Sequence, residues 1–241
     1  MELTLPLPAQ LKRIFLQMNT IIRLSSVTKK ICQALSGAFL MLFLIIHAGI
    51  NLFILPVVPN HEEIYRMGVV FMTTNPLIKV IEIVLLLTFA IHILMGILLS
   101  IENKLARPVG YKKRNYAEQN SSSRYMMHTG IVLLLFLFLH FCHFYFVKLG
   151  FVEPYGDATS SEDFYAMVNY TFSNPVYDIV YMIAMIAIFF HLDHGFQSAF
   201  QSLGLNHPTY NKVIGIVGHI YAAIVSLIFF AIPAYYLFFV H

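Results

Sequence analysis

The stretch Phe190-His191-Leu192-Asp193-His194-Gly195-Phe196-Gln197 decides how this chain folds, because an earlier part of the sequence repeats its frame. Asn174-Pro175, fifteen residues, His191, three residues and Gly195 copy Asn75-Pro76, fifteen residues, His92, three residues and Gly96. A second frame recurs upstream of each copy: Ser36-Gly37, nine residues and His47 return as Thr129-Gly130, nine residues and His140. The segments ahead of the two Asn-Pro pairs also correspond, Glu62-Glu63-Ile64-Tyr65-Arg66-Met67 against Glu162-Asp163-Phe164-Tyr165-Ala166-Met167. The pattern is that of a duplicated helical hairpin, with four histidines at two pairs of equivalent positions.

Of the 241 residues, 59% are hydrophobic and 11% charged, whereas an ordinary soluble domain carries roughly 25% charged residues. Apolar runs over 31–55, 77–101, 125–147, 176–203 and 213–240 each reach the roughly 20 residues a helix needs to cross a bilayer. The expected fold is an all-α membrane protein of five transmembrane helices, in which spans one and two are duplicated as spans three and four and a fifth helix follows. Residues 1–241 read as one transmembrane domain, with 1–30 a cytoplasmic N-terminal segment. Within it, Leu11, Ile14, Phe15, Met18 and Ile22 recur at helical spacing beside Lys12, Arg13 and Arg23, as in an amphipathic helix lying on the membrane surface.

Basic residues stay on the cytoplasmic side of a membrane, and twelve of the fifteen here fall on one side: Lys12, Arg13, Arg23, Lys29 and Lys30 before span one, Lys104, Arg107, Lys112, Lys113, Arg114 and Arg124 between spans two and three, and Lys212 between four and five. The other side holds Arg66, Lys79 and Lys148 together with Glu62, Glu63, Glu153, Asp157, Glu162 and Asp163. The N-terminus is therefore expected in the cytoplasm, in a bacterial inner membrane. The first thirty residues lack an uninterrupted apolar core, so no cleavable signal peptide is expected. The net charge of +3 is accounted for by topology and implies no nucleic-acid partner. Cys32 and Cys142 form no CxxC or CxxCH motif, so the chain is not expected to hold an iron-sulfur cluster or a covalently attached haem.

Ionisable groups inside a membrane are costly and usually mark a site. At 1.5 Å per residue, His47 lies about 26 Å from Lys30 and His140 about 24 Å from Arg124, so both belong to one level in the outer half. His92 and His191 each lie about 24 Å past an outer proline, at one level in the inner half. Two histidines facing each other suit one flat cofactor between them: neutral imidazoles take both axial positions of a haem iron and leave no site for oxygen. Two such haems about 10 Å apart along the membrane normal make an electron path across it. A zinc site needs four ligands at one point, against which the two levels argue. His143 and His194 lie three residues from His140 and His191 and share their helical faces, so only the duplication selects His140 and His191 as ligands. His128 and His219, near the inner boundary, are open to a propionate, a partner or water, and His61, His207 and His241 are expected to be solvated. Gly37 leaves room for a backbone or a flat ligand to approach.

The Gly-x9-His pattern of spans one and three, with His-xxx-Gly in spans two and four, resembles the dihaem cytochrome b membrane subunit of succinate:menaquinone oxidoreductases and quinol:fumarate reductases. The segment from His191 through Asp193, Gly195, Gln197 and Gln201 to Gly204 is similar to that family's signature, and the likeness covers all five spans. The resemblance implies two haems b, the distal held by His47 and His140 and the proximal by His92 and His191, with Gly37 and Gly130 in the haem-binding frame and Gln33 near a propionate. It also implies a flavoprotein and an iron-sulfur protein docked on the cytoplasmic side against the basic inner loop. Electrons would then pass between the succinate/fumarate couple of those partners and menaquinone in the membrane, with no dicarboxylate chemistry in this chain. There are departures. Where relatives place an acid beside the distal haem, only Glu62, Glu63 and Glu82 are candidates by position, and where some carry a glutamate before the fourth-span ligand, Phe189-Phe190 stands here. The cytochrome b of a hydrogenase or formate dehydrogenase is the alternative within this class. A proton-coupled transporter using histidine relays is the alternative outside it, and would show helices broken at the midplane.

Overall fold

The computed structural model describes residues 24–105 and 121–241. The amphipathic segment expected over 9–23, and most of the basic inner loop, lie outside the described residues. Helix α1 (Ser26–Asn51) starts at Ser25, whose hydroxyl accepts the Thr28 N–H at 3.1 Å, and ends in a single 3₁₀ turn, Leu52–Ile54. A short outer helix α2 (His61–Thr74) leads to α3 (Pro76–Leu105). Helix α4 (Ser121–His140) continues through one π turn, Phe141–Tyr145, to Phe146–Lys148. The second outer helix is α5 (Phe164–Thr171), followed by α6 (Pro175–Ser202) and α7 (Pro208–Tyr235), whose chain runs on into a π turn, Tyr236–Val240.

The repeated Asn-Pro pairs are helix starts. Asn75 Oδ1 accepts the Leu77 N–H at 2.9 Å and Asn174 Oδ1 accepts the Val176 N–H at 3.0 Å, while each proline occupies the first turn, where its missing N–H leaves nothing unpaired. Both copies therefore launch their long helix in the same way, which is why a histidine sixteen residues on lands at matching depth. Five helices, over Ser26–Ile54, Pro76–Asn103, Tyr125–Lys148, Pro175–Ser202 and Pro208–Val240, are long and apolar enough to cross a membrane. The chain is an all-α, multi-pass membrane protein. Its two ends are called inner and outer below, the outer being the end that carries α2 and α5.

The duplication is visible in the packing. Helix α1 packs along α3 as α4 packs along α6. Residues that correspond in the two halves meet each other: Tyr65 and Tyr165 at 5.9 Å between ring centroids, His47 and His140 at 6.0 Å, His92 and His191 at 6.3 Å. A residue can touch its own counterpart only close to a twofold axis, so a pseudo-twofold runs down the centre of the bundle. One feature breaks it. Helices α1 and α6 pack closely, and α7 lies mainly on α6 and also on α1, but the pseudo-twofold counterpart of the first pair, α3 with α4, makes almost no backbone approach. Those two helices touch through long side chains instead, Phe89 against Phe141 at 6.4 Å and the Glu82 carboxylate accepting from Lys148 Nζ at 2.6 Å.

The outer end is the best-buried part of the described chain. Val147, Met167, Val168, Phe172, Tyr181, Ile232 and Tyr236 form one cluster there with Ile54 and Tyr65. Arg66 closes it, donating to Glu62 at 3.0 Å and to Asp163 at 2.6 Å while its guanidinium lies 5.0 Å from the Tyr165 ring centre. Partial burial pushes the Asp163 carboxyl up, but the Arg66 guanidinium and the backbone N–H groups of Thr159 and Ala166 outweigh it and hold the group below its ordinary value. At the inner end Lys29 of α1 pairs with Glu102 of α3.

Candidate functional site

Each histidine pair expected from the duplication is brought together, and each lies between helices of different hairpins: α1 with α4, and α3 with α6. The His47 and His140 rings stand nearly perpendicular, at 86°, and the His92 and His191 rings at 70°. An imidazole–metal bond is about 2 Å long and each ring centre lies roughly 1 Å behind its nitrogen, so one metal ion bridging two facing imidazoles sets their centroids about 6 Å apart. Both observed separations, 6.0 and 6.3 Å, match that distance.

The glycine-histidine frames explain how the inner pair is seated. Gly37 brings α1 so close to α3 that an added Cβ would lie 3.3 Å from His92 Cε1, and a Cβ at Gly130 would lie 3.6 Å from His191 Cε1. The residue before each glycine supplies the polar contact: Ser36 Oγ is 3.2 Å from His92 Nδ1 and Thr129 Oγ1 is 3.3 Å from His191 Nδ1. Each hydroxyl spends its own proton on a carbonyl of its helix, Ser36 on Cys32 at 2.7 Å and Thr129 on Met126 at 3.0 Å. What remains at each oxygen is a lone pair, so it accepts the Nδ1–H and fixes the tautomer that leaves Nε2 free to bind a metal. Gln33 agrees with the tautomer, since its amide donates to His92 Nε2 at 3.3 Å and so occupies the lone pair a metal would take, while its Oε1 is buried with no partner among the described residues.

The outer pair is seated by rings. His47 stacks on Phe43 at 5.1 Å and meets Phe229 at 5.4 Å, while His140 lies among Phe136, Phe144 and Tyr181 at 5.8, 5.1 and 6.3 Å. Asn51 Nδ2 lies 3.4 Å from His47 Nδ1, and His140 Nδ1 is buried with no partner among the described residues. Among the described residues no three His, Cys, Asp or Glu side chains converge as a metal site. A porphyrin-bound iron asks the protein for only two, and two facing imidazoles at each level fit it, with the unpartnered His140 and Gln33 atoms marking polar groups that await a neighbour.

The structure bears on three expectations. Gly37 lies beside His92 and Gly130 beside His191, each ten residues before the histidine of the outer pair, so the two pairs occupy separate levels. His143 meets Tyr181 as His140 does, but as a hydrogen-bonding residue: its Nδ1 lies 2.9 Å from the Tyr181 hydroxyl, the two rings stacked at 7°. His61, His207 and His241 are not simply solvated. His61 Nδ1 lies 3.1 Å from the Phe53 carbonyl, His207 Nδ1 caps α7 by accepting the Thr209 N–H at 3.3 Å, and His241 Nε2 lies 3.0 Å from Asp178. Loop position alone does not disclose such local partners.

Two further contacts were not legible in the sequence. His219 Nδ1 pairs with the Asp193 carboxylate, joining α7 to α6. Glu82, the acid inside span two, pairs with Lys148 beside Tyr145 at the outer end, whereas Glu62 belongs to the Arg66 cluster. The nearest signal for the first was that Asp193 stands where the duplicated frame has Leu94. Comparison with known proteins returns no match: no family model matches the sequence, and no curated protein or solved structure is significantly similar to the chain.

Proposed function

We propose that this chain is a dihaem cytochrome b, an integral membrane subunit that conducts electrons between the two faces of a bilayer. More particularly, we read it as the anchor subunit of a succinate:menaquinone oxidoreductase or quinol:fumarate reductase, with its N-terminus in the cytoplasm of a bacterium and a flavoprotein and an iron-sulfur protein docked on that side. The observation that carries the reading is the pairing of duplicated imidazoles at 6.0 and 6.3 Å. Haem held there would supply one-electron redox chemistry. His47 and His140 would hold the outer group, His92 and His191 the inner one. Ser36 and Thr129 orient the inner imidazoles, and Phe43, Phe136, Phe144 and Phe229 keep water from the outer ones. Glu82, paired with Lys148 at 2.6 Å, is the acid placed to take up the proton that menaquinol loses at the outer end. The unbroken course of α3 and α6 disfavours a histidine-relay transporter, and partner identity separates the reading from a hydrogenase or formate dehydrogenase cytochrome b.

The test is a reduced-minus-oxidised optical spectrum and a haem assay on the purified protein. Two haems b per chain are expected, and a preparation of the folded protein without a haem b spectrum sinks the reading. Copurification with a flavoprotein and a three-cluster iron-sulfur protein is the corresponding result for the partners. A finer expectation concerns the hydroxyls: Ser36→Ala and Thr129→Val should each weaken retention of the inner haem by about tenfold, as loss of a ligand's hydrogen-bond partner does elsewhere. Titrating haem loss during dilution in detergent checks this, and the outer haem should be unaffected.

A further inference from the structure

We propose that α2 lies in the lipid interface at the outer end of the bundle, with Met67, Val70, Phe71 and Thr74 set among phospholipid chains, so that lipid takes on α2 the place that the end of α7 takes on α5. The duplication supplies the comparison. Met167 of α5 is fully buried, in one cluster with Val168, Phe172, Ile232 and Tyr236, whereas its counterpart Met67 is 62% exposed. Tyr236, just past α7, meets Phe172 at 5.5 Å between ring centroids, and its hydroxyl donates to Asn169 Oδ1. Helix α7 stands outside the duplication, so no second copy of it reaches α2. There Val70 and Phe71 are 57% and 56% exposed and follow Met67 at helical spacing as one apolar stripe. The helix cannot roll to hide the stripe, because its other side is committed: an added Cβ at Gly68 would lie 3.3 Å from Ile50 of α1, Tyr65 meets Tyr165, and Arg66 donates to Asp163.

An apolar patch of this kind marks a surface that something covers, and its surroundings point to lipid. The stripe runs on through the exposed Pro76 and Leu77 to Val80, Ile83 and Leu87, the exposed face of a membrane span and hence a face turned to the bilayer. Polarity is graded along α2: the exposed Glu62, Glu63 and Arg66 stand at its start and the apolar stripe fills its second half. That is the order of a helix descending from water toward acyl chains. Depth agrees. Lys79 is exposed near the start of α3, and a lysine close to the end of a span extends its ammonium to the headgroups. Helix α2 ends about one turn farther out than Lys79, at the boundary where an interfacial helix buries its apolar face. A groove of about 830 Å³ follows the stripe from Asn60 to Thr74 and gives acyl chains room along it.

The experiment uses the full chain in vesicles of phosphatidylcholine and phosphatidylglycerol that carry a photoactivatable phosphatidylcholine, its diazirine either close to the glycerol or at the chain end. Labelled residues are read by peptide mass spectrometry. The shallow probe should label Met67, Val70, Phe71 and Thr74 as strongly as Leu77 and Val80, and several-fold more than Met167, Val168 and Thr171. Tyr65 and Thr73, on the buried side of α2, should stay unlabelled. The deep probe should label α3 around Leu87 and leave α2 alone. Labelling of the stripe no stronger than that of Met167 would overturn the proposal, and so would equal labelling of α2 by both probes. A disulfide formed in high yield between two chains bearing Met67→Cys in these vesicles, and not by the unaltered chain, would overturn it in favour of a second copy of this chain as the cover. The labelling is read on the unaltered protein, and haem does not enter it, so failure here leaves the cytochrome reading standing.

Discussion

Replacing His191 with alanine should, on the dihaem reading, remove the inner haem and about half of the haem b absorbance, since each haem would be held by one imidazole from each hairpin. His194→Ala should leave both haems in place. The two residues are one helical turn apart and no periodicity in the sequence distinguishes them, but only His191 meets a counterpart ring, at 6.3 Å from His92, and only His191 has its Nδ1 seated on a hydroxyl, that of Thr129. Alanine at 191 leaves His92 facing a gap, still gripped by Ser36 and Gln33 on its own side. Haem assay and the optical spectrum of the two variants check the pair. If His194→Ala alone loses haem, the ligand assignment is wrong.

His140→Ala should have the next largest effect, because the outer pair stands between the inner level and the outer end, where Glu82 lies. The outer haem is lost, and electron transfer between menaquinone and the succinate/fumarate couple should fall by at least on the order of 100-fold, the upper end of what losing a mere neighbour of a ligand costs. Succinate oxidation by a water-soluble dye, which draws electrons before they enter the membrane, should be unchanged. That split separates a broken electron path from a subunit that fails to assemble. A quinone-linked rate that survives loss of the outer haem would mean electrons reach menaquinone without crossing to this level.

Much of this arrangement could be read from residue order. Five apolar runs specified five spans, and the two frames specified which histidines meet, because duplicated helices that start on equivalent Asn-Pro caps carry their side chains to matching depths. The seating of the inner pair was half legible: Gly37 stood out as a close-approach position with Gly130 as its counterpart in the repeated frame, but the Ser36 and Thr129 hydroxyls beside them gained a role only once their own protons were seen to be engaged by Cys32 and Met126. The π turn after His140 has no signature in FCHFY, since it answers to packing of the outer cluster around Val147 and Phe144. The Asp193–His219 pair was out of reach for another reason. It joins a duplicated helix to one outside the duplication, so no internal copy of the sequence could indicate which residues face each other.

The unequal flanks of the bundle have a consequence for how it is put together. A haem bound as proposed would lie beneath an outer plug of Val147, Met167 and Phe172. Its thinnest wall would be the one between α3 and α4, held by an edge-to-face contact of Phe89 and Phe141 and one ion pair rather than by interlocked backbones. The opposite wall, where α7 braces α1 and α6 and the Tyr221 hydroxyl bonds the Met41 carbonyl at 2.8 Å, is the fixed side. The two hairpins are thus clamped along the edge that α7 spans and joined by side chains alone along the other.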